Sequence, residues 1–258
     1  MSVVTDRFDF VQHPLPHYVW RAEGARAVFT LRDQGVSDAP WNSLNLGLHT
    51  GDERAMVGEN RRRAAAVAAV ERHDVRTVLQ VHGSSVWVDG DGQEAAPWTA
   101  EPPQVEADAL VTAHGSGHSL AVMVADCPPV AIVTAAGVSA VHAGWRSLVG
   151  GIFERVAERL DLDGAVAAIG PCIGPCCFEV GVEVANQFHV DDVYGPVVEG
   201  ERPHVNLRAA ITRRLEALGV ARVDVLKVCT SCDERCFSHR RDLGRTGRQA
   251  LLLAPRAN

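Results

Sequence analysis

Three short segments carry side chains that suit metal binding or nucleophilic chemistry. In each of them such a side chain lies where an apolar, strand-like run meets a turn; the segments are residues 80–83, 125–129 and 141–147. Active-site groups of α/β proteins collect at strand ends, because the loops there can vary on a rigid base. We therefore predict that His82, Cys127 and His142, one from each segment, belong to one site.

These three residues offer two imidazoles and one thiolate, which zinc accepts with a fourth position left for water or substrate. Zinc bound in this way lowers the pKa of a water molecule to near neutrality and makes it a nucleophile. The intervals between His82, Cys127 and His142 match no local metal motif. The zinc hypothesis therefore requires three separate strand ends to converge.

A thiol mechanism uses the same residues. Cys127 and His142 can form a nucleophile–base pair in which the imidazole lowers the pKa of the thiol. Asp126 or a backbone carbonyl would then orient the histidine. The alternative without chemistry is a buried cysteine and two ordinary histidines, but the turn residues around all three argue against it.

Arg146 is a candidate for binding an anion. It precedes a predicted helix whose N-cap is Ser147. The N–H groups at a helix start and an adjacent guanidinium both suit a phosphate or carboxylate of the substrate. The alternative is a capped helix in which Gly150 and Gly151 serve close packing.

The remaining cysteines form two sequence groups. They are Cys172, Cys176 and Cys177, and Cys229, Cys232 and Cys236. Two such groups can build a structural zinc site, but the first spacing is not standard for one. We therefore favour buried thiols that pack near the site.

The elements that position these side chains follow from hydrophobic periodicity. Strands are predicted at 25–31, 77–81, 85–88, 109–112, 120–125, 130–134, 138–142, 166–169, 223–228 and 250–253. Helices are predicted at 53–72, at 147–160, at 182–188 and from Asn206 to a stop at Gly219, with a structured loop at 33–52. This mixture predicts an α/β (mixed α+β) fold of sheets flanked by helices. The arginine run at 61–63 is predicted to be a solvated helix face.

Composition excludes several classes of protein. The 258 residues carry a net charge of −7, which argues against binding nucleic acid or an anionic membrane. Lys227 is the only lysine, and no glycine-rich loop contains it, so a Walker-type phosphate loop is excluded. The sequence shows no secretory signal and no membrane-spanning run, which predicts a cytoplasmic protein.

Taken together, the motifs resemble the laccase-domain family, whose members are labelled multicopper polyphenol oxidase, purine nucleoside phosphorylase or peptidoglycan editing factor. The resemblance runs from about residue 25 to the C-terminus. It is carried by segments 80–83, 125–129, 142–146 and 170–176, with 43–49, 59–61, 237–242 and 246–248 in agreement.

The resemblance implies one compact domain over 1–258, with 1–24 as an N-terminal extension, related to cytotoxic-factor-type cysteine hydrolases. It implies zinc held by His82, Cys127 and His142. It also implies phosphorolysis of adenosine, inosine and methylthioadenosine, with phosphate as the second substrate, and deamination of adenosine. The protein would act as a monomer or homodimer.

We also predict roles for polar residues in the matching motifs. The candidates for substrate binding are Arg146, Gln80 and Asn45, and Asp126 is a catalytic candidate for proton transfer. Asp126 and Gln80 can alternatively position the metal ligands without contacting the metal themselves.

Other functions remain open at this stage. Some family members edit peptidoglycan precursors, so a Cys–His or zinc hydrolase is the first alternative, and phosphate dependence would separate the two. Multicopper oxidation is disfavoured, because the 11 histidines are scattered and no His-x-His pair occurs. A non-catalytic metal-binding module is the remaining alternative.

Overall fold

The computed structural model describes residues 7–256. Its strands, in chain order, are β1 (Phe8–Val11), β2 (His17–Ala22), β3 (Ala25–Thr30), β4 (Val75–Thr77), β5 (Val86–Val88), β6 (Ala96–Pro97), β7 (Ala109–Ala113), β8 (Ser119–Val124), β9 (Pro129–Val133), β10 (Gly137–His142), β11 (Val166–Ile169), β12 (Val193–Tyr194), β13 (His204–Val205), β14 (Arg222–Val225) and β15 (Gln249–Ala254). The α-helices are α1 (Arg54–Ala68), α2 (Trp145–Val149), α3 (Ile152–Ala157), α4 (Val182–Ala185) and α5 (Leu207–Ala217). None of the helices within 7–256 is both long and apolar enough to span a membrane.

Two large mixed sheets form the centre of the fold. One has seven strands in the order β1-β2-β3-β15-β8-β4-β6, and the other has six in the order β14-β11-β9-β10-β7-β5. Strands β12 and β13 form a separate small pair. The predicted mixed α+β class is confirmed, whereas the 1–258 domain boundaries and the cytotoxic-factor relationship stay predictions.

The sheets and helices pack in four layers. The faces of the two sheets that point toward each other share one apolar cluster, which includes Phe29, Val122 and Val133. The outer face of the seven-stranded sheet packs on α1. The outer face of the six-stranded sheet packs on α2, α3 and α5. Because both faces of the central strands are covered, strands such as β8 and β10 are buried along their whole length.

Strand register brings three chain segments to one edge of the six-stranded sheet. In the β9–β10 pair His142 lies opposite Pro129, which is two residues after Cys127. In the β7–β10 pair Val141 lies opposite Ala109, and Ala109 also pairs with Val86 of β5. The segment that precedes β5, the one that precedes β9 and the end of β10 therefore meet.

Residues 8–30 contribute three strands to the seven-stranded sheet. Strands β1 and β2, which the sequence did not predict, pair with β3 and extend the seven-stranded sheet. The predicted strand at 77–81 is wrong beyond Thr77, because β4 covers Val75–Thr77 and Leu79 forms only an isolated β-bridge with Glu106. The helix predicted from Asn206 is α5, and Asn206 is its N-cap, since its side chain accepts a hydrogen bond from the Ala209 N–H.

The helix predicted from Ser147 differs in the structure. Gly144 is the N-cap of α2, and Ser147 lies buried inside that helix. The predicted single helix is split, because Gly151 takes a left-handed conformation (φ 80°) between α2 and α3. The stripe of Leu148, Ile152 and Val156 is nevertheless buried as the periodicity predicts.

The arginine run is not a uniformly solvated face. Arg61 is fully buried, with Nε donating to the Leu46 carbonyl at 2.9 Å and Nη1 donating to the Thr99 carbonyl at 2.8 Å. Its guanidinium also lies over the Trp98 ring, at 5.5 Å from the centroid. Arg62, one residue further along α1, is exposed and pairs with Glu59 on the same helix. Helical geometry turned the first arginine of the run inward.

We expect Arg61→Met to lower the free energy of unfolding by about 2–3 kcal/mol, because two buried carbonyls lose a charged donor. Urea unfolding measures the loss. Arg62→Met is the matched control and should leave the urea midpoint close to that of the wild type. Equal midpoints for the two variants would contradict this interpretation of Arg61.

Candidate metal centre

The structure brings His82, Cys127 and His142 together. Their ligand atoms all lie within 4.8 Å of one another. The two imidazole rings are nearly perpendicular, with centroids 4.8 Å apart and an interplanar angle of 75°. His142 is buried, Cys127 is partly buried and His82 is exposed, so the group lies at the surface end of the sheet edge. The convergence that the zinc hypothesis required is present.

Asp108 organises two of the three side chains. Its fully buried carboxylate accepts hydrogen bonds from the backbone N–H groups of Val81, His82 and Gly83 at 3.2, 3.0 and 2.6 Å. The same carboxylate lies 2.7 Å from Nδ1 of His142. This contact holds the ring so that its other nitrogen faces the cluster. Metal-binding histidines are commonly oriented by a carboxylate in this way.

Charges inside the cluster favour a thiolate. Burial raises the pKa of Cys127, but the charge and proximity of His142 and His82 outweigh it and lower the pKa to about 6. Burial likewise lowers the pKa of His142, and Cys127 and Asp108 outweigh it and raise the pKa to about 9. Without a metal, these opposite shifts favour a thiolate and an imidazolium at neutral pH.

The backbone around the cluster is held in uncommon conformations. His82 and Asp126 are not glycines, yet both have positive φ, 59° and 87°. The hydrogen bonds from backbone N–H groups to the Asp108 carboxylate fix the conformation of His82. The second is fixed by Asp126 itself, whose carboxylate accepts from Thr230 Oγ1 at 2.6 Å and from the Arg240 N–H at 2.7 Å. Such strain collects at functional sites, where surrounding contacts must hold it.

Gly144 leaves the space that the three side chains occupy. A Cβ atom at this position would lie 3.1 Å from Cδ2 of His82 and 3.2 Å from Sγ of Cys127. A larger residue would therefore press on two of the candidate ligands. With its soft thiolate, its imidazoles and a free fourth direction, the donor set fits zinc.

The cluster opens into a cavity of about 360 Å³, within the usual range for small-molecule sites. Its walls combine cationic and apolar side chains, among them Arg146, Arg240, Arg248, His49, Ile173 and Phe178. Removal of water by the cavity walls and the positive charges of Arg248 and Arg61 lower the pKa of His49 to about 4. His49 is therefore neutral at pH 7 and can hydrogen-bond as an uncharged ring.

Arg146 lies on the cavity wall as predicted, but the reason differs. Helix α2 has only five residues, so its N-terminus adds little to anion binding. The exposed guanidinium lies over the Trp145 ring, with Cζ 4.4 Å from the centroid. It makes no hydrogen bond to any residue within 7–256 and is free to bind an anion.

The other predicted site residues are held by the protein itself. Gln80 also lines the cavity, yet its amide donates to the Met123 carbonyl at 2.7 Å and accepts from the Met123 N–H at 2.8 Å. Both carboxylate oxygens of Asp126 are occupied as described above. This geometry favours positioning roles for Gln80 and Asp126, and proton transfer by Asp126 stays a prediction.

Asn45 makes its hydrogen bonds inside the protein. Its side chain is completely buried and does not line the cavity. The amide donates to Thr50 and Asp52 at 2.8 Å each, and its oxygen accepts from the Arg248 N–H at 2.9 Å. Asn45 therefore ties the loop at 33–52 to the last part of the chain, which favours a positioning role, and substrate binding by Asn45 stays a prediction.

Several residues at the site were missed as candidates. Asp108 carried one signal, an isolated acid directly before an apolar strand. His49, Arg240 and Arg248 fell within the motifs that match the family, but nothing in their spacing assigned them a role. Phe178 gave no signal that separates it from a core residue.

The expectation of buried thiols near the site is wrong for part of the cysteines. Cys172 and Cys236 are buried as expected, whereas Cys176 and Cys232 are exposed. Cys177 and Cys229 are partly buried.

Comparison with known proteins gives a consistent family. The sequence profile of a family described as multi-copper polyphenol oxidoreductase laccase matches residues 26–256. Purine nucleoside phosphorylase YlmD of Geobacillus stearothermophilus is 35% identical, with 90% of this chain and 91% of that protein covered. A purine nucleoside phosphorylase of Deinococcus radiodurans is 38% identical, with 88% of each chain covered.

Solved structures agree with this result. The crystal structure of YlmD from Geobacillus stearothermophilus superposes with a TM-score of 0.84 at 32% identity, covering 96% of this chain and 98% of that one. The crystal structure of the Bacillus licheniformis hypothetical protein YfiH gives a TM-score of 0.87 at 27% identity, covering 97% and 100%.

We expect Asp108→Asn to weaken Zn²⁺ binding at the cluster by about 10- to 100-fold, because the His142 ring and the 81–83 backbone lose their common acceptor. Chelator competition measures the affinity, and the relevant ion is the one lost in Cys127→Ala. Asp89→Asn is the matched control, since Asp89 makes a similar contact, 2.8 Å from its carboxylate to Nδ1 of His118, and neither residue lines the cavity. Unchanged affinity in a folded Asp108→Asn protein would contradict the orienting role.

Proposed function

The chain belongs to the multi-copper polyphenol oxidoreductase laccase family, and from that premise we propose that it is a purine nucleoside phosphorylase acting at the His82–Cys127–His142 centre. Full-length relatives named purine nucleoside phosphorylase support the reaction class. The observation that carries the proposal is that the candidate metal ligands and the unpaired guanidinium of Arg146 line one cavity. Adenosine, inosine and methylthioadenosine are the proposed nucleosides.

The cavity walls divide into two regions that suit the two substrates. Ile173 and Phe178 provide an apolar surface for a purine ring. Arg146 and Arg248 provide donors for phosphate. Arg248 donates hydrogen bonds to the Thr246 and Gly247 carbonyls through Nη1 alone, so the rest of its guanidinium can face the cavity.

The reaction needs positioning more than covalent help from the protein. A phosphate oxygen forms a bond to C1′ of the ribose while the bond from C1′ to the purine nitrogen breaks. The bond electrons leave with the base, which takes up a proton, and ribose 1-phosphate remains. Arg146 would hold the phosphate for this displacement while the apolar wall holds the base.

We assign His82, Cys127 and His142 as the ligands of a zinc ion. Bound there, zinc would act as a Lewis acid toward a group in its fourth position. Asp108 keeps the His142 ring in the orientation that this requires, and Gly144 keeps the space around the ligands clear. The deamination of adenosine is a second proposed activity of the same centre.

The cluster also supports a second candidate function. Cys127, His142 and Asp108 form the nucleophile, base and orienting carboxylate of a cysteine hydrolase, and the thiol carries a lowered pKa. An amide of a peptidoglycan precursor would be the substrate class. A multicopper oxidase is disfavoured, because only two histidines join the metal-type clusters within residues 7–256.

A non-catalytic metal-binding module would leave the cavity without a role. The predicted cytoplasmic location and the monomer or homodimer state stay predictions.

We expect purified protein to release hypoxanthine from inosine only when phosphate is present, and Cys127→Ala to lower this rate by about 100-fold or more. A coupled assay for the free base measures both. Cys236→Ala removes a buried thiol outside the cavity and should keep the wild-type rate. Release of hypoxanthine without phosphate would contradict phosphorolysis, and full activity in Cys127→Ala would contradict the assignment of this reaction to the His82–Cys127–His142 centre. Ammonia release from adenosine tests the deaminase activity.

We expect Arg146→Ala to raise the KM for phosphate by about 10-fold and to change the KM for inosine much less, because one charge-assisted contact is lost. Steady-state kinetics with each substrate varied in turn measures the split. Arg159→Ala removes an exposed arginine outside the cavity and should change neither constant. An unchanged KM for phosphate in Arg146→Ala would remove Arg146 from the phosphate site.

A further inference from the structure

A second metal-type cluster lies beside the cavity. The sulfur atoms of Cys176, Cys177, Cys229 and Cys232 all lie within 4.8 Å of one another. The Sγ–Sγ distance is 3.3 Å from Cys177 to Cys232 and 3.7 Å from Cys176 to Cys232. Zinc–sulfur bonds of about 2.3 Å in a tetrahedron place the sulfurs about 3.8 Å apart. The four thiols are therefore close to the arrangement of a four-cysteine zinc site.

The fold brings these cysteines from two distant parts of the chain. Strands β11 and β14 are parallel neighbours, so the loops that follow them leave the same edge of the sheet. An isolated parallel β-bridge between the backbones of Cys172 and Cys229 keeps the two loops side by side. The first loop supplies the adjacent pair Cys176 and Cys177, and the second supplies Cys229 and Cys232.

The local backbone already has features that support bound thiolates. The Gly174 N–H donates to Sγ of Cys229 at 3.2 Å. The Cys229–Cys232 segment is a tight turn in which the N–H groups of Cys232 and Asp233 both donate to the Cys229 carbonyl. Amide hydrogen bonds to a sulfur stabilise its charge and fix its direction. A Cys-x2-Cys turn presents both sulfurs to one point.

We propose that Cys176, Cys177, Cys229 and Cys232 bind a second, structural zinc ion. Four protein ligands complete its tetrahedron and leave no position for water or substrate, in contrast to the three-residue centre in the cavity. The adjacent cysteines of the first loop explain why the sequence spacing did not predict this site.

The position of the cluster gives the ion a task. Arg240, which follows the second loop, donates to the carbonyls of Cys177 and Glu179 at 3.0 Å each. The Arg240 N–H also holds Asp126, which is next to Cys127, and the Ile173 N–H donates to the Asp126 carbonyl at 2.9 Å. An ion that joins the two loops would therefore fix the cavity wall against the segment that carries Cys127.

Metal content separates this site from the one in the cavity. Wild-type protein purified with Zn²⁺ and then gel-filtered should hold two zinc ions per chain, as measured by inductively coupled plasma mass spectrometry. The Cys127→Ala and Cys232→Ala variants should each hold one. Cys236→Ala, an equivalent substitution of a buried thiol outside both clusters, should keep two. If the cavity site bound no zinc, the wild type would hold one ion and Cys232→Ala none. Failure of the proposed cavity site can therefore be told apart from failure of the four-cysteine site.

Cobalt supplies a readout that does not depend on activity. Co²⁺ bound to Cys127→Ala should show the intense sulfur-to-metal absorption of four thiolates, and Cys176→Ala in that background should lose most of it. Cys176 is exposed, so this variant should fold even if Cys232→Ala does not. Wild-type zinc content in folded Cys232→Ala or Cys176→Ala would overturn the proposal. So would a Cys177–Cys232 disulfide with no bound metal in freshly prepared Cys127→Ala.

Discussion

The buried carboxylate of Asp108 is the contact on which the candidate active site depends. It accepts hydrogen bonds from three consecutive backbone N–H groups of the segment that carries His82. It also lies within hydrogen-bond distance of the His142 ring on a neighbouring strand. A buried charge is stable only when hydrogen bonds and an opposite charge compensate its loss of water. Asp108 meets that condition by gathering the side chains that form the cluster. The requirement of one buried group therefore sets the positions of two candidate ligands.

The two sheets provide the rigid base for this arrangement. The central strands are covered on both faces, so their register is fixed by close packing, and a one-residue slip would move each side chain to the opposite packed face. With register fixed, the position of His142 opposite Pro129 places Cys127 within reach of the imidazole. The loops around the cavity are held to the base by polar contacts instead, such as those of Asn45 with Asp52 and Arg248.

The electrostatics of the cavity is consistent with a small anionic or polar substrate in an acidic protein. The protein carries a net charge of −7, while Arg146, Arg240 and Arg248 line the cavity that holds the metal-type cluster. Local charge at the cavity, and not the overall balance, governs which ligand is attracted. Cys127 and the three arginines line the same cavity, so the two proposed reactions, phosphorolysis and thiol-dependent hydrolysis, would use the same groups.

The sequence by itself determined the fold class, most of the strands and the three residues of the cluster, because apolar periodicity and turn residues are local signals. It also carried the family motifs over nearly the whole chain. It did not show that Arg61 and Asn45 are buried, or that α2 ends after five residues. Only the tertiary structure decided that His82, Cys127 and His142 converge, with Asp108 holding the two histidines, and that four cysteines from two loops meet. The reason is physical: these contacts join residues far apart in the chain, and their distances depend on strand register and sheet packing, which no local pattern encodes.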